Sequence, residues 1–134
     1  MNKKIVIITD DAAPLQKAVE DIAAVIGACS GYSAAVIQAE HFSGADLLAA
    51  YAVFLGCEKA RPSSFASIEA LLGHINLAGR PCGIFSSGAG ALEYLSALVR
   101  DSEIAVGRPL LVKNDATDHE NLKKWVQDIL QEGK

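Results

Sequence analysis

The stretch Lys3-Lys4-Ile5-Val6-Ile7-Ile8-Thr9-Asp10-Asp11-Ala12-Ala13-Pro14 decides how the rest of the chain is read. Ile5 to Ile8 form an apolar run with no polar alternation, the pattern of a strand covered on both faces. A short polar loop follows, and Pro14 opens a helical pattern, because its fixed φ and missing N–H suit the first turn of a helix. A buried central strand feeding a helix is the building unit of parallel sheets. In open sheets of that kind, ligands sit in the crevice outside the carboxyl ends of the strands. The turn at that position here contains two aspartates and no glycine.

Outward from this unit the same alternation repeats. Leu15, Ala18, Val19, Ile22, Ala23, Val25 and Ile26 recur at helical spacing, with Gly27 as the expected stop. Ser30-Gly31 makes a loop before a second strand, Ser33-Ala34-Ala35-Val36-Ile37-Gln38, expected beside the first. Phe42 to Ala50 has room for about two turns of helix, and Tyr51-Ala52-Val53-Phe54-Leu55-Gly56 is a third, fully apolar strand. Cys57 to Ser64 is a polar loop, and Ser63 or Ser64 caps a helix with Phe65, Ile68, Leu71, Leu72 and Ile75 on its apolar stripe. Gly79-Arg80-Pro81 turns into a fourth strand, Cys82-Gly83-Ile84-Phe85, which ends at the loop Ser86-Ser87-Gly88-Ala89-Gly90. Ala91, Leu92, Leu95, Ala97, Leu98 and Val99 continue as a helix, and Pro109-Leu110-Leu111-Val112 is a fifth strand. Asp118 caps a last helix that buries Leu122, Trp125, Val126, Ile129 and Leu130. Five strands and five helices in strict alternation imply an α/β fold of three layers, a five-stranded parallel sheet between helices, with right-handed crossovers.

The bulk properties bound the function. With 134 residues and 51% hydrophobic content, a single domain over residues 1–134 with one well-buried core is expected. A net charge of −4 and a sequence pI near 5.3 argue against nucleic acid or an anionic membrane as partner, since both require concentrated Lys and Arg. The apolar run after Lys4 is too short for a signal segment or a membrane span, so a cytoplasmic protein is expected. Cys29, Cys57 and Cys82 are odd in number and lack metal-site spacings, which points to free thiols.

Three stretches together resemble the flavodoxins. Ala45 to Cys57 is similar to that family's short helix and third strand, which ends in Gly-Cys or Gly-Ser. Gly79 to Gly88 is similar to its fourth strand and the loop bordering the flavin, and Pro109 to Asn114 with the acidic run and terminal helix resembles the short-chain ending. The match covers essentially the whole chain. It implies the strand order 2-1-3-4-5, FMN as cofactor, and electron transfer to a redox partner. It also implies the site residues: Thr9, Asp10, Asp11, Ala12, Ala13 and Pro14 at the phosphate, Cys57, Glu58 and Lys59 in a loop against the isoalloxazine ring, and Ser86, Ser87, Gly88, Ala89 and Gly90 at its other edge.

The chain departs from the family at the phosphate turn. Flavodoxins use a Ser/Thr- and Gly-rich turn, because glycine lets the backbone approach and successive N–H groups point at the anion. Of that turn only Thr9 matches; Ala12 and Ala13 stand in place of Gly and Asn, Pro14 removes a donor, and Asp10 and Asp11 bring negative charge. A carboxylate about 4 Å from a phosphate charge costs about 1 kcal/mol in water and about 4 kcal/mol at an effective dielectric of 20. Two of them offset most of what a phosphate site supplies. The residues from Ser86 to Gly90 include no aromatic side chain to flank a ring.

Each candidate also has a plainer role. Asp10 or Asp11 serves as a cap for the first helix, worth about 1 kcal/mol. A carboxylate pair after the first strand also occurs in response-regulator receiver domains, where it holds a divalent cation. The phosphate-accepting Asp of a receiver belongs at the end of the third strand, however, where this chain has Gly56-Cys57. Cys57 is read as a small buried hydrophobe before a reactive thiol. His41, His74 and His119 have no indicated nucleophile partner, so no catalytic constellation emerges and an enzyme is not expected. Two functions remain: a binding or interaction module with a protein partner, its FMN site degenerate, and an FMN electron carrier with an altered phosphate turn.

Overall fold

The computed structural model describes residues 3–10, 13–29, 31–41, 45, 50–58, 65–72, 80–100, 105–106, 109–111 and 119–132. In chain order these form β1 (Lys3–Thr9), α1 (Ala13–Ala28), β2 (Tyr32–Gln38), a 3-10 turn (Ala39–His41), β3 (Ala52–Gly56), α2 (Ala66–Leu72), β4 (Pro81–Ser86), α3 (Ala89–Arg100), β5 (Ala105–Val106), β6 (Leu110–Leu111) and α4 (His119–Glu132). Every strand pairing is parallel, in the order β2-β1-β3-β4-β5, with β6 also on β4.

The continuous apolar reading of β1 has a direct cause. Successive side chains point to opposite faces, and here each face has its own cover. Ile5 and Ile7 pack with Leu15, Ile22 and Ile26 of α1 and with Leu122, Val126 and Ile129 of α4. Val6 and Ile8 pack on the other face with Ile68 of α2 and with Leu95 and Val99 of α3. Ile5 pairs with Ala34 on one side and Ala52 on the other, so β1 is the interior strand that its composition predicts.

Two glycines make room for aromatic rings on the α1/α4 face. In the β3–β4 ladder Phe54 lies opposite Gly83, and Gly56 lies opposite Phe85. A Cβ at Gly56 would run into the Phe85 ring, and one at Gly83 would lie 2.7 Å from Phe54 and from Ile129 Cδ1. Trp125 closes the arrangement, edge-on to Phe54 at 5.4 Å and to Phe85 at 6.4 Å between ring centroids, the geometry that aromatic quadrupoles favour.

The structure differs from the sequence reading in three places. First, α1 continues past Gly27 to Ala28; the left-handed turn falls at Gly31, φ 89°, the conformation glycine adopts without a Cβ penalty. Second, the fifth strand position is filled by two short pieces. β5 pairs with Pro81 and Cys82, and β6 pairs with Phe85 and Ser86. Three steps along β4 from Cys82 to Phe85 are matched by four from Val106 to Leu110, so one extra residue is absorbed. Pro109 has no N–H to give the ladder, which is tolerated at a sheet edge. Third, α3 begins at Ala89, so the loop expected over Ser86–Gly90 shrinks to Ser87 and Gly88. The expected short helix of residues 42–50 and the caps at Ser63, Ser64 and Asp118 fall largely or wholly outside the described residues.

Candidate crevice at the carboxyl ends of the strands

Thr9, Gly56 and Ser86 end three neighbouring parallel strands, so the segments that follow them emerge on one edge of the sheet. Thr9 is 5% exposed and Ser86 fully buried; they are the buried polar residues among those described. Asp10, directly after β1, is half-buried. Its Oδ2 accepts a hydrogen bond from the Glu58 backbone N–H at 3.0 Å, which joins the first loop to the second. Glu58 is also close to the third loop, because its carbonyl oxygen would lie 3.4 Å from a Cβ at Gly88. The three segments therefore converge, with Glu58 between Asp10 and Gly88.

The third segment is shaped by its own hydroxyl. Ser86 Oγ accepts the Gly88 N–H at 3.0 Å, and the Gly88 carbonyl accepts the Leu92 N–H at 3.3 Å, the first bond of α3. Gly88 thus serves as N-cap, a position that favours small residues with non-helical dihedrals. This explains why Ala89 and Gly90 are helical and not part of a longer loop.

Cys57 is fully buried beside this edge. Burial pushes its thiol up to about 12, and the negative charge of Asp10 adds to the effect. Cys82 in β4 is likewise raised to about 12 by burial. Cys57 packs in the core cluster with Phe65 and Ile68. Among the described residues there is no group of three His, Cys, Asp or Glu able to hold a metal ion.

Of the sequence-predicted site residues, Thr9, Asp10, Cys57, Glu58, Ser86, Ser87 and Gly88 lie along this edge. Ala13 and Pro14 open α1, and Ala89 and Gly90 open α3. Asp11, Ala12 and Lys59 lie outside the described residues. The contact that sequence reasoning missed is the Glu58 N–H bond to Asp10, for which no residue type gives a signal. At the opposite end of the sheet, Lys3 Nζ sits 4.4 Å from the centroid of the Tyr51 ring, and Tyr51 pairs with Tyr32 at 5.9 Å. That group anchors the start of β1 and is remote from the crevice.

No helix among the described residues is long and apolar enough to cross a membrane. The sequence matches no family model and no curated protein. Solved structures are similar over the whole fold. A short-chain flavodoxin associated with a PDU bacterial microcompartment superposes with a TM-score of 0.86 at 11% identity, over 100% of both chains. Oxidised flavodoxin 2 from Bacillus cereus gives 0.77 at 18% identity over 95% of each chain. A mutant flavo di-iron protein from Thermotoga maritima gives 0.81 at 11% identity, over 100% of this chain and 36% of that one. The chain therefore has the flavodoxin-like fold, a parallel sheet of order 2-1-3-4-5 between helices.

Proposed function

We propose that this flavodoxin-fold chain is a binding module whose crevice does not hold FMN, and that it works through a protein partner, not as an electron carrier. One observation carries the reading: the crevice loops satisfy one another. The Glu58 N–H is bonded to Asp10 and the Gly88 N–H to Ser86, so two backbone donors at the crevice are turned toward the chain itself. A charge-assisted N–H bond to a phosphate is worth about 1.5–3 kcal/mol, and the Asp10 carboxylate at this edge opposes an anion there.

The ring side of FMN fares no better. Cys57 to Ser64 and Ser86 to Gly90 contain no Phe, Tyr or Trp to flank an isoalloxazine ring. The residues present do not fit the cofactor. With a net charge of −4, a basic protein surface is favoured as partner over nucleic acid or an anionic membrane.

Absorbance of the purified protein and titration with FMN test this reading. A colourless protein with no binding below about 100 μM, a free energy weaker than about −5.5 kcal/mol, is the expected result. A yellow protein, or a micromolar Kd, overturns it in favour of an electron carrier, the function that Thr9 and the flavodoxin neighbours support.

A further inference from the structure

The contact between Asp10 and Glu58 crosses from one strand's loop to the next. Asp10 directly follows β1 and Glu58 lies two residues past β3, and Thr9 is paired with Gly56 in the ladder. The carboxylate therefore reaches sideways across one strand spacing, about 4.8 Å, to the Glu58 N–H, which it accepts at 3.0 Å. Backbone N–H groups at this edge are what an open α/β sheet offers to an oxyanion. Here one of them already has a carboxylate bound, held against it by the β1–β3 pairing. The same charge helps keep the adjoining Cys57 thiol neutral, after the larger effect of burial.

We propose that Asp10 is the selectivity residue of the crevice: a tethered internal anion that occupies the Glu58 N–H, so that the crevice refuses phosphomonoesters and admits neutral or cationic ligands. The inference rests on the reading of the crevice as a ligand site not built for FMN. Asparagine at this position keeps an oxygen able to accept the same bond while removing the charge. Alanine removes both. The two variants separate what the bond does from what the charge does.

The experiment compares full-length wild type, Asp10→Asn and Asp10→Ala, with FMN and riboflavin as probes that share a ring and differ in the phosphate. Flavin fluorescence quenching gives both affinities, and hydrogen exchange reports the Glu58 amide. In Asp10→Ala the Glu58 amide is expected to exchange at least tenfold faster than in wild type, and FMN affinity to rise at least tenfold relative to riboflavin. In Asp10→Asn exchange stays near wild type, and the FMN-to-riboflavin ratio rises by a smaller factor. Unchanged exchange in Asp10→Ala, or an unchanged ratio in both variants, including no FMN binding by any of the three proteins, overturns the proposal. A variant that melts earlier with its ratio unmoved shows a merely structural role and overturns it as well. Micromolar FMN binding by wild type, still improved tenfold relative to riboflavin by Asp10→Ala, removes the module reading and keeps the role of Asp10.

Discussion

Gly56→Ala is expected to be the most damaging one-methyl change in this sheet. The new Cβ would collide with Cε2 and Cζ of Phe85 and lie 2.8 Å from Cδ2, where carbon atoms prefer about 3.5–4.0 Å. The ring has nowhere easy to go. Phe85 is fully buried, and its other neighbour Trp125 meets it edge-on at 6.4 Å while holding Phe54 at 5.4 Å. Overpacking of this kind costs about 1–3 kcal/mol, and disturbing the aromatic contact adds about 0.5–1.5 kcal/mol. The reduced backbone freedom of alanine in the unfolded chain offsets about 0.5–1 kcal/mol. The net loss, at the centre of these ranges, is about 2 kcal/mol, out of the roughly 5–15 kcal/mol that holds a domain together. At this chain length that corresponds to about 7 °C in Tm. Urea and thermal unfolding followed by circular dichroism and by the fluorescence of Trp125, the sole tryptophan, measure it. Phe85→Leu in the Gly56→Ala background should recover part of the loss, a non-additivity expected of residues in contact. A Gly56→Ala protein within about 0.5 kcal/mol of wild type, the range of an ordinary surface change, would refute the argument from packing.

The same substitution should change sign elsewhere. At Gly27, inside α1 with nothing within 4 Å of a Cβ, alanine should stabilise by about 0.5–1 kcal/mol. At Gly31, where space is equally open but φ is 89°, alanine should cost about 1–2 kcal/mol; urea midpoints of the two variants decide both. Of the three thiols, Cys29 is half-buried while Cys57 and Cys82 are fully buried. A thiol reagent should therefore titrate one equivalent in the native protein and three after unfolding. Burial raises Cys57 and Cys82 from 9.0 to about 12. The unfolded chain thus releases those protons first, and stability that is complete below about pH 9 should decline as pH rises toward 12. Unfolding midpoints across that window, compared with a Cys57→Ala, Cys82→Ala protein, isolate the effect; parallel curves for the two proteins would refute it.

The central position of β1 was legible because it depends on local composition alone. Four consecutive apolar residues alternate faces, so Ile5 to Ile8 require cover above and below, and only an interior strand has it. The helical stripes of α1, α3 and α4 were legible for a similar reason, since 3.6-residue spacing is a property of the chain before it folds. The strand order came from the resemblance to flavodoxins, and the paired register bears it out.

Other features are properties of neighbours brought together by folding. Ala105 and Val106 are too few to show a period and become a strand only because β4 offers them a free edge. Gly56 and Gly83 look like ordinary glycines until the β3–β4 register sets Phe85 and Phe54 opposite them. The loop after β4 ends early because the Ser86 hydroxyl folds back on Gly88. The negative charge that Asp10 brings to the first turn was visible in the sequence alone. Its partner is a backbone N–H 48 residues away, a group that every residue except proline carries, and only the adjacency of β1 and β3 could select it.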